Sequence, residues 1–289
     1  MSALTAAWPR PSYASAVRGE AMLTRTRVAV WVSTTVWAVC IAVFAYLVSY
    51  LSIAGAQWYT ADQQHAIVST MLPAGTSYYV LASLPLYGAP QFAILGAIIG
   101  ASDFGRGTIR TLVSRFARRA PFIAARLTNL VVVAAVIAVV TLLTSIVCSF
   151  VVAAASGRSA ALAPLGELAA AAGAIWLVAG VFLVLGFAVG TLTRSVIAAV
   201  AISVAWTLGV ESLLVGMLAP VVPALASLQQ VLPVGATSSL AAGFVPDGVQ
   251  TVPALTAGTT PGVAVLVLVA WAAVAGAGSW ALLGRRDLA

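Results

Sequence analysis

Six stretches of the chain are apolar for about twenty residues or more: Val28–Ile53, Tyr78–Ala101, Leu127–Ala155, Leu168–Leu192, Val196–Leu218 and Val263–Leu283. A bilayer core about 30 Å thick needs about 20 such residues per helix. In lipid the backbone must satisfy its own hydrogen bonds, so each stretch is expected to be a helix. The pattern predicts an all-α polytopic membrane protein with six transmembrane helices. Val28–Ile53 is too long for the apolar region of a cleavable signal and lacks a small-residue cleavage pattern, so it reads as a mature span.

Between these stretches the charges are distributed unevenly. Arg10, Arg18, Arg25 and Arg27 precede the first span. Arg106, Arg110, Arg115, Arg118, Arg119 and Arg126 lie between the second and third, Arg194 between the fourth and fifth, and Arg285 and Arg286 after the sixth. Alternating spans put all of these on one face and leave Arg158 alone on the other. Basic residues favour the cytoplasmic side, so both termini are expected inside. The expected organisation is a cytoplasmic or interfacial lead-in at 1–27, one six-span transmembrane domain at 28–283 and a cytoplasmic tail at 284–289. The loop at 102–126 is then cytoplasmic, and the segments Gln57–Thr76, Ser156–Glu167 and 219–262 face outward.

Composition agrees with the pattern and removes several chemistries. Hydrophobic residues make up 62% of the 289 and charged residues 7%, against about 25% charged in soluble domains. A water-soluble fold is excluded. All 14 basic residues are arginine, so no P-loop lysine and no Schiff-base lysine can be built. The arginine-only usage fits a GC-rich, bacterial coding bias. Cys40 and Cys148 sit in apolar runs and read as small buried hydrophobes, with a disulfide between them a matter for testing. The single histidine, His65, lies in a polar segment, and no metal-ligand cluster is legible.

Within the 102–126 loop, Ile109, Leu112, Val113, Phe116 and Ala120 recur at i, i+3, i+4, i+7 and i+11, one stripe of a helix. Arg110, Arg115, Arg118 and Arg119 occupy the rest of the circumference. Gly105 and Gly107 break the chain before the helix and Pro121 after it. Such an amphipathic cytoplasmic helix can lie in the interface, each arginine gaining about 1 kcal/mol from anionic headgroups. It can equally dock into the groove of a cytoplasmic partner. Nucleic acid is a poor fit, since Phe116 is the loop helix's one aromatic platform and lies on its apolar side.

Several features inside the spans carry candidate meaning. Gly96 with Gly100 and Gly186 with Gly190 are pairs four apart that permit close helix approach, within a subunit or between two. Pro85 and Pro90 remove backbone donors from the second span and predict a kink. Glu211 is the one charged residue well inside a span, an expensive position that marks either a translocation-path residue or a carboxyl that ties helices together. The stretch 219–262 is apolar at its start and punctuated by Pro220, Pro223 and Pro233, which suits a re-entrant or interfacial helix pair, with Asp247 solvated at its exposed end. Trp58, Tyr59, Tyr78 and Tyr79 fit an interfacial aromatic belt.

The string "SDFGRGTIRTLVSRFARRAPFIAARL" resembles the corresponding loop of permeases of the type 2 export class of ATP-binding-cassette transporters. In that family an acidic residue leaves the second span, a Gly-Thr with a nearby basic residue follows, a short helix forms, and a proline or small residue with a basic residue re-enters the membrane. Asp103, Gly107, Thr108, Arg110, Arg119, Pro121 and Arg126 fill those places here; the family often has glutamate and lysine where this chain has Asp103 and Arg126. The lead-in "VRGEAMLTRTRVAVWV" and the ending "LLGRRDLA" look like the family's entry and closing motifs. The resemblance implies an export permease of the cell membrane, paired with a second permease subunit, identical or not, to form the translocation path. It implies that ATP and Mg are bound by a separate cytoplasmic ABC ATPase, with no cofactor in this chain, which is not itself an enzyme. It also implies that the Thr108–Ala120 helix is the coupling helix, with Asp103, Gly107, Thr108, Arg110, Arg115, Phe116, Arg118 and Arg119 as the ATPase-coupling residues, and that helices in 219–262 form the outer lid.

An intramembrane enzyme is disfavoured, because His65 is outside the spans and only one acid is within them. An ion- or proton-coupled secondary transporter or channel, which usually carries several intramembrane ionisable groups, and a non-transporting membrane anchor subunit remain the alternatives.

Overall fold

In the computed structural model, residues 12–55, 59–105, 120–246 and 258–285 are described. Among them the regular structure is entirely helical. In chain order the helices are α1 (Tyr13–Thr26), α2 (Val28–Ile53), α3 (Ala61–Thr70), α4 (Thr76–Phe104), α5 (Ala120–Ser156), α6 (Leu165–Thr193), α7 (Val196–Leu218), α8 (Pro223–Val231), α9 (Pro233–Ala242) and α10 (Pro261–Gly284). Six of these, α2, α4, α5, α6, α7 and α10, are long and apolar enough to cross a membrane, the architecture of a polytopic membrane protein.

Local sequence explains where the helices begin and end. Ser12 accepts from the Ser15 N–H and caps α1. Thr60 and Gln63 form a reciprocal capping box at the start of α3. Pro223 and Pro233 open α8 and α9 at positions where a missing N–H costs nothing. Arg194 closes α6 in a left-handed conformation, φ 56°, its N–H returning to the Gly190 carbonyl. Ser195 then caps α7, so only a tight turn separates the two spans.

The spans expected at Val28–Ile53 and Val196–Leu218 have those bounds, and the other four extend further at their ends. Hydropathy marks only the lipid-matched length, whereas helical hydrogen bonding continues into polar turns. The clearest case is α5. Its 37 residues make a rod about 55 Å long, well beyond the hydrocarbon thickness.

The centre of the molecule is the α4–α6 crossing. A Cβ on Gly96 would lie 2.1 Å from the Leu183 carbonyl oxygen, and one on Gly100 2.5 Å from that of Phe187. From the other helix, Gly186 would meet the Ala93 oxygen at 2.0 Å and Gly190 the Ala97 oxygen at 2.5 Å. The two glycine pairs therefore face each other within one chain, and backbone touches backbone. Phe92, Leu95, Phe182, Leu183 and Phe187 close around the contact with almost no exposure.

Polar rungs attach α2 and α5 to this centre. The Trp37 indole donates to Thr141 Oγ1 at 2.7 Å, and the Tyr46 hydroxyl bonds Ser145 Oγ at 2.7 Å and Thr76 Oγ1 at 3.1 Å. Away from water such bonds join helices that the hydrophobic effect alone does not hold together in lipid. Tyr78 is fully buried, and the Tyr79 hydroxyl donates to the Ala45 carbonyl. These two tyrosines thus belong to the core and not to an interfacial belt: helix α4 begins at Thr76 and turns them inward. Tyr59 is exposed, and Trp58 lies outside the described residues. Cys40 and Cys148 are free thiols, each half-buried.

Pro85 does not break α4. The segment Leu84–Gly88 adopts π-helical geometry, and the Ala89 N–H reaches back five residues to the Leu84 carbonyl. The wider turn absorbs the missing donor, and the helix runs on through Pro90. Similar π segments occupy Ile41–Val48 in α2 and Ala205–Val215 in α7.

Candidate functional site at the roots of the basic loop

The residues that carry the loop resemblance are divided by the structure. Gly107, Thr108, Arg110, Arg115, Phe116, Arg118 and Arg119, with the helix expected at Thr108–Ala120, lie outside the described residues. The two roots of the loop are described, and they hold a buried charge cluster.

Asp103 sits on the last turn of α4. Arg27 is the extended residue between α1 and α2 and places its guanidinium on that carboxylate, Nη2 lying 3.0 Å from both Oδ1 and Oδ2. Arg126, in the second turn of α5, pairs with Asp103 through Nη2 and with Glu20 of α1 through Nε, 3.4 Å from Oε1. The Arg126 side chain is 1% exposed, and Asp103 and Glu20 are each 6% exposed. Two cations and two anions from four helical segments thus form a neutral, nearly dry cluster.

Aromatic faces complete the enclosure. The Arg126 guanidinium stacks over the rings of Phe122 and Phe187, with centroid distances of 5.2 and 5.8 Å, and cation–π attraction of this kind strengthens when water is excluded. Arg194 lies over Phe104 at 5.6 Å. Beside the cluster Asn129 donates to Thr24 Oγ1 at 2.6 Å, and the hydroxyls of Tyr13 and Thr128 meet at 2.7 Å. These bonds lay α1 along the start of α5. Burial lowers the affinity of the Arg27 guanidinium for its proton, and the Glu20 carboxylate opposes that effect; an arginine nevertheless stays charged.

Chemically this arrangement is a fastener. Removing one member of a buried ion pair leaves the other charge unpaired at a cost of about 3–5 kcal/mol. Asp103 and Arg126 hold the end of α4 and the start of α5 together and, through Glu20 and Arg27, onto α1 and the start of α2. Both Asp103 oxygens are directed at arginines of its own chain, so this carboxylate ties the end of α4 to the start of α5 and to Arg27.

Of the four residues, sequence reasoning singled out Asp103 and Arg126 and treated Arg27 as a topology charge. Glu20 was missed. The available signal was an acid isolated among four basic residues of the lead-in.

The second candidate, Glu211, lies at the far end of α7 from this cluster and is 3% exposed. Its Oε2 accepts the Val234 N–H at 2.7 Å, at the first turn of α9. From the other side the Trp271 indole of α10 donates to the Val231 carbonyl at 2.8 Å, at the last turn of α8. Leu232 between them is extended, so the two flanking spans satisfy backbone groups that the α8–α9 break leaves open. Gly235 makes the turn possible, since a Cβ there would lie 1.9 Å from the Gln229 carbonyl oxygen. The expected helix pair in 219–262 is thus present as α8 and α9, while Asp247 lies outside the described residues.

No match was found among curated proteins or solved structures. One family model matches residues 83–289, from the π segment of α4 to the last residue, and so takes in Asp103, Arg126 and Glu211 but not Glu20 or Arg27. The chain belongs to that family, DUF2705, whose description is a protein of unknown function.

Proposed function

We propose that this chain is the permease subunit of an ATP-binding-cassette exporter, coupled to a separate ATPase through the basic segment at 106–119. The observation that supports it best is the buried cluster of Glu20, Arg27, Asp103 and Arg126. A loop that only met headgroups would not need its roots locked to each other. A loop that transmits force does, because displacement of its tip must move helices instead of stretching the loop. Here a push on 106–119 would be passed at once to α4, α5, α1 and the start of α2.

In this reading the arginine-rich face is cytoplasmic, both termini are inside, and α8 and α9 lie toward the outside as a lid. Two permease subunits, identical or not, enclose the path in the cell membrane. Arg110, Arg115, Arg118 and Arg119 meet acidic residues of the ATPase, Phe116 enters its groove, and Gly107 and Thr108 let the chain turn into the helix. ATP and Mg are handled by that partner, and this chain alone hydrolyses nothing.

Co-expression with an adjacent-gene ABC ATPase tests the proposal. The triple variant Arg110→Glu, Arg115→Glu, Arg119→Glu should insert normally yet lose the ATPase on affinity purification. Co-purification at the wild-type level would refute the coupling assignment.

A further inference from the structure

Helix α7 buries little of its surface, and what it buries is mostly polar. The buried positions of this helix, Ala199, Ser203, Thr207, Glu211 and Val215, recur every four residues. Most of its large aliphatic residues face the other way: Ile197, Ile202, Leu213, Leu214 and Met217 are exposed. For a span in lipid this is a reversal of what packing alone requires, because Ala, Gly and aliphatic side chains would close the same seam without the cost of burying a carboxylate.

The groups on this stripe are not all satisfied. Thr207 Oγ1 donates to the Ser203 carbonyl at 2.8 Å. Ser203 Oγ and Glu211 Oε1 are buried with no hydrogen-bond partner. Glu211 Oε2 is held by the Val234 N–H, and the Trp206 indole also approaches the carboxylate, brought to the same side by the π-helical turn at Ala205–Val215. Among the described residues no arginine or histidine forms an ion pair with Glu211. Arg27 and Arg126 are already matched to Glu20 and Asp103. A carboxyl within a span therefore has a fixed position, one oxygen without a hydrogen-bond partner in the seam, and no ion-pair partner among the described residues.

We infer that the Ser203–Thr207–Glu211 face of α7 is a binding site for the cationic group of an amphipathic organic solute, with Glu211 Oε1 supplying the counter-charge and Ser203 Oγ a further polar contact. The stripe is poor in donors for a resident metal ion. Calcium takes six to eight oxygens, and magnesium six in strict geometry, whereas the stripe offers one free carboxylate oxygen and one free hydroxyl. An organic cation needs only one carboxylate and an apolar wall. Near the upper half of α7 that wall is supplied by α8, α9 and the π segment of α4, against which it packs. The inference rests on the transport reading for its purpose but not for its chemistry, since binding requires neither ATP nor a partner.

The test uses the full chain, purified in nanodiscs, with radiolabelled tetraphenylphosphonium as the probe and tetraphenylborate as its isosteric anion. Wild type should bind the cation saturably and the anion not at all. Glu211→Gln should weaken cation binding at least tenfold. Its amide oxygen can still accept the Val234 N–H, so α9 stays anchored, which an unchanged melting profile verifies. Ser203→Ala, which removes a hydroxyl but no charge, should weaken binding by about threefold without changing the preference for the cation.

Absence of saturable binding to the wild type, equal binding of both ions, or undiminished binding by a folded Glu211→Gln would each overturn the site. Loss of ATPase capture in the loop variants bears on the proposed function alone, because the binding assay contains no ATPase. Cation binding with no ATPase captured by the wild type would leave the site standing and refute the ABC assignment.

Discussion

Replacing Gly186 by alanine isolates the energetic contribution of the α4–α6 contact. The new Cβ would lie 2.0 Å from the Ala93 carbonyl oxygen and 2.8 Å from its carbonyl carbon. Ordinary contact begins near 3.4 Å, so the helices must move apart by about 1.4 Å. Backbone cannot rotate away as a side chain tip can. Overpacking of this kind costs about 1–3 kcal/mol, and the upper end applies because a gap of 0.5–1 Å already forfeits a quarter to a half of each dispersion contact along the seam. Alanine also raises helix propensity by about 1 kcal/mol over glycine, which leaves a net loss of about 2 kcal/mol.

Gly173 provides the control within the same helix. A Cβ there meets nothing within 4 Å, so Gly173→Ala should be neutral or stabilising by up to about 1 kcal/mol. Thermal unfolding in detergent micelles should show Gly186→Ala lowered by roughly 4–8 °C and Gly173→Ala unchanged or raised. Gly96→Ala, whose Cβ would lie 2.1 Å from the Leu183 oxygen, opens the same seam. Once it is open, the second substitution adds little, so the double variant should cost about as much as one. Equal midpoints for Gly186→Ala and Gly173→Ala, or full additivity of the pair, would refute the backbone-contact account.

Asp103→Asn should destabilise the protein by about 3–5 kcal/mol, since Arg27 and Arg126 lose their shared anion; retention of wild-type melting would show the cluster to be dispensable. Tyr46→Phe should cost only about 1 kcal/mol, because Thr76 and Ser145 still reach each other at 3.3 Å, whereas Thr141→Val should cost more by stranding the Trp37 indole. Comparing the two melting curves checks that order. Thiol titration of the unfolded chain without reductant should find two reactive cysteines per molecule, and none would overturn the free-thiol assignment of Cys40 and Cys148. Reporter fusions within 106–119 should be active only on the cytoplasmic side and fusions after Gly55 only outside. The opposite pattern would invert the arrangement inferred from the arginines.

What the sequence determined by itself was the number and placing of the long helices. Membrane crossing depends on the length of apolar runs, a one-dimensional property, and six such runs were legible, five to within three residues at each end and the third to within seven. The glycine pairs and the isolated Glu211 were visible as well, because each is an exception against a uniform apolar background. What they face was not visible. That Gly96 and Gly100 meet Gly186 and Gly190, that the Glu211 carboxylate holds the Val234 N–H, and that Trp37 reaches Thr141 are pairings across 86 to 94, 23 and 104 positions, and sequence spacing carries no signal for them. Glu20 and Arg27 read as ordinary interfacial charges until the tertiary structure laid α1 across the start of α5 and closed them onto Arg126 and Asp103. The physical reason is the same throughout: lipid solvates apolar surface uniformly, so which helices touch is decided by close backbone fit and by the partners that buried polar groups find, and both exist only in three dimensions.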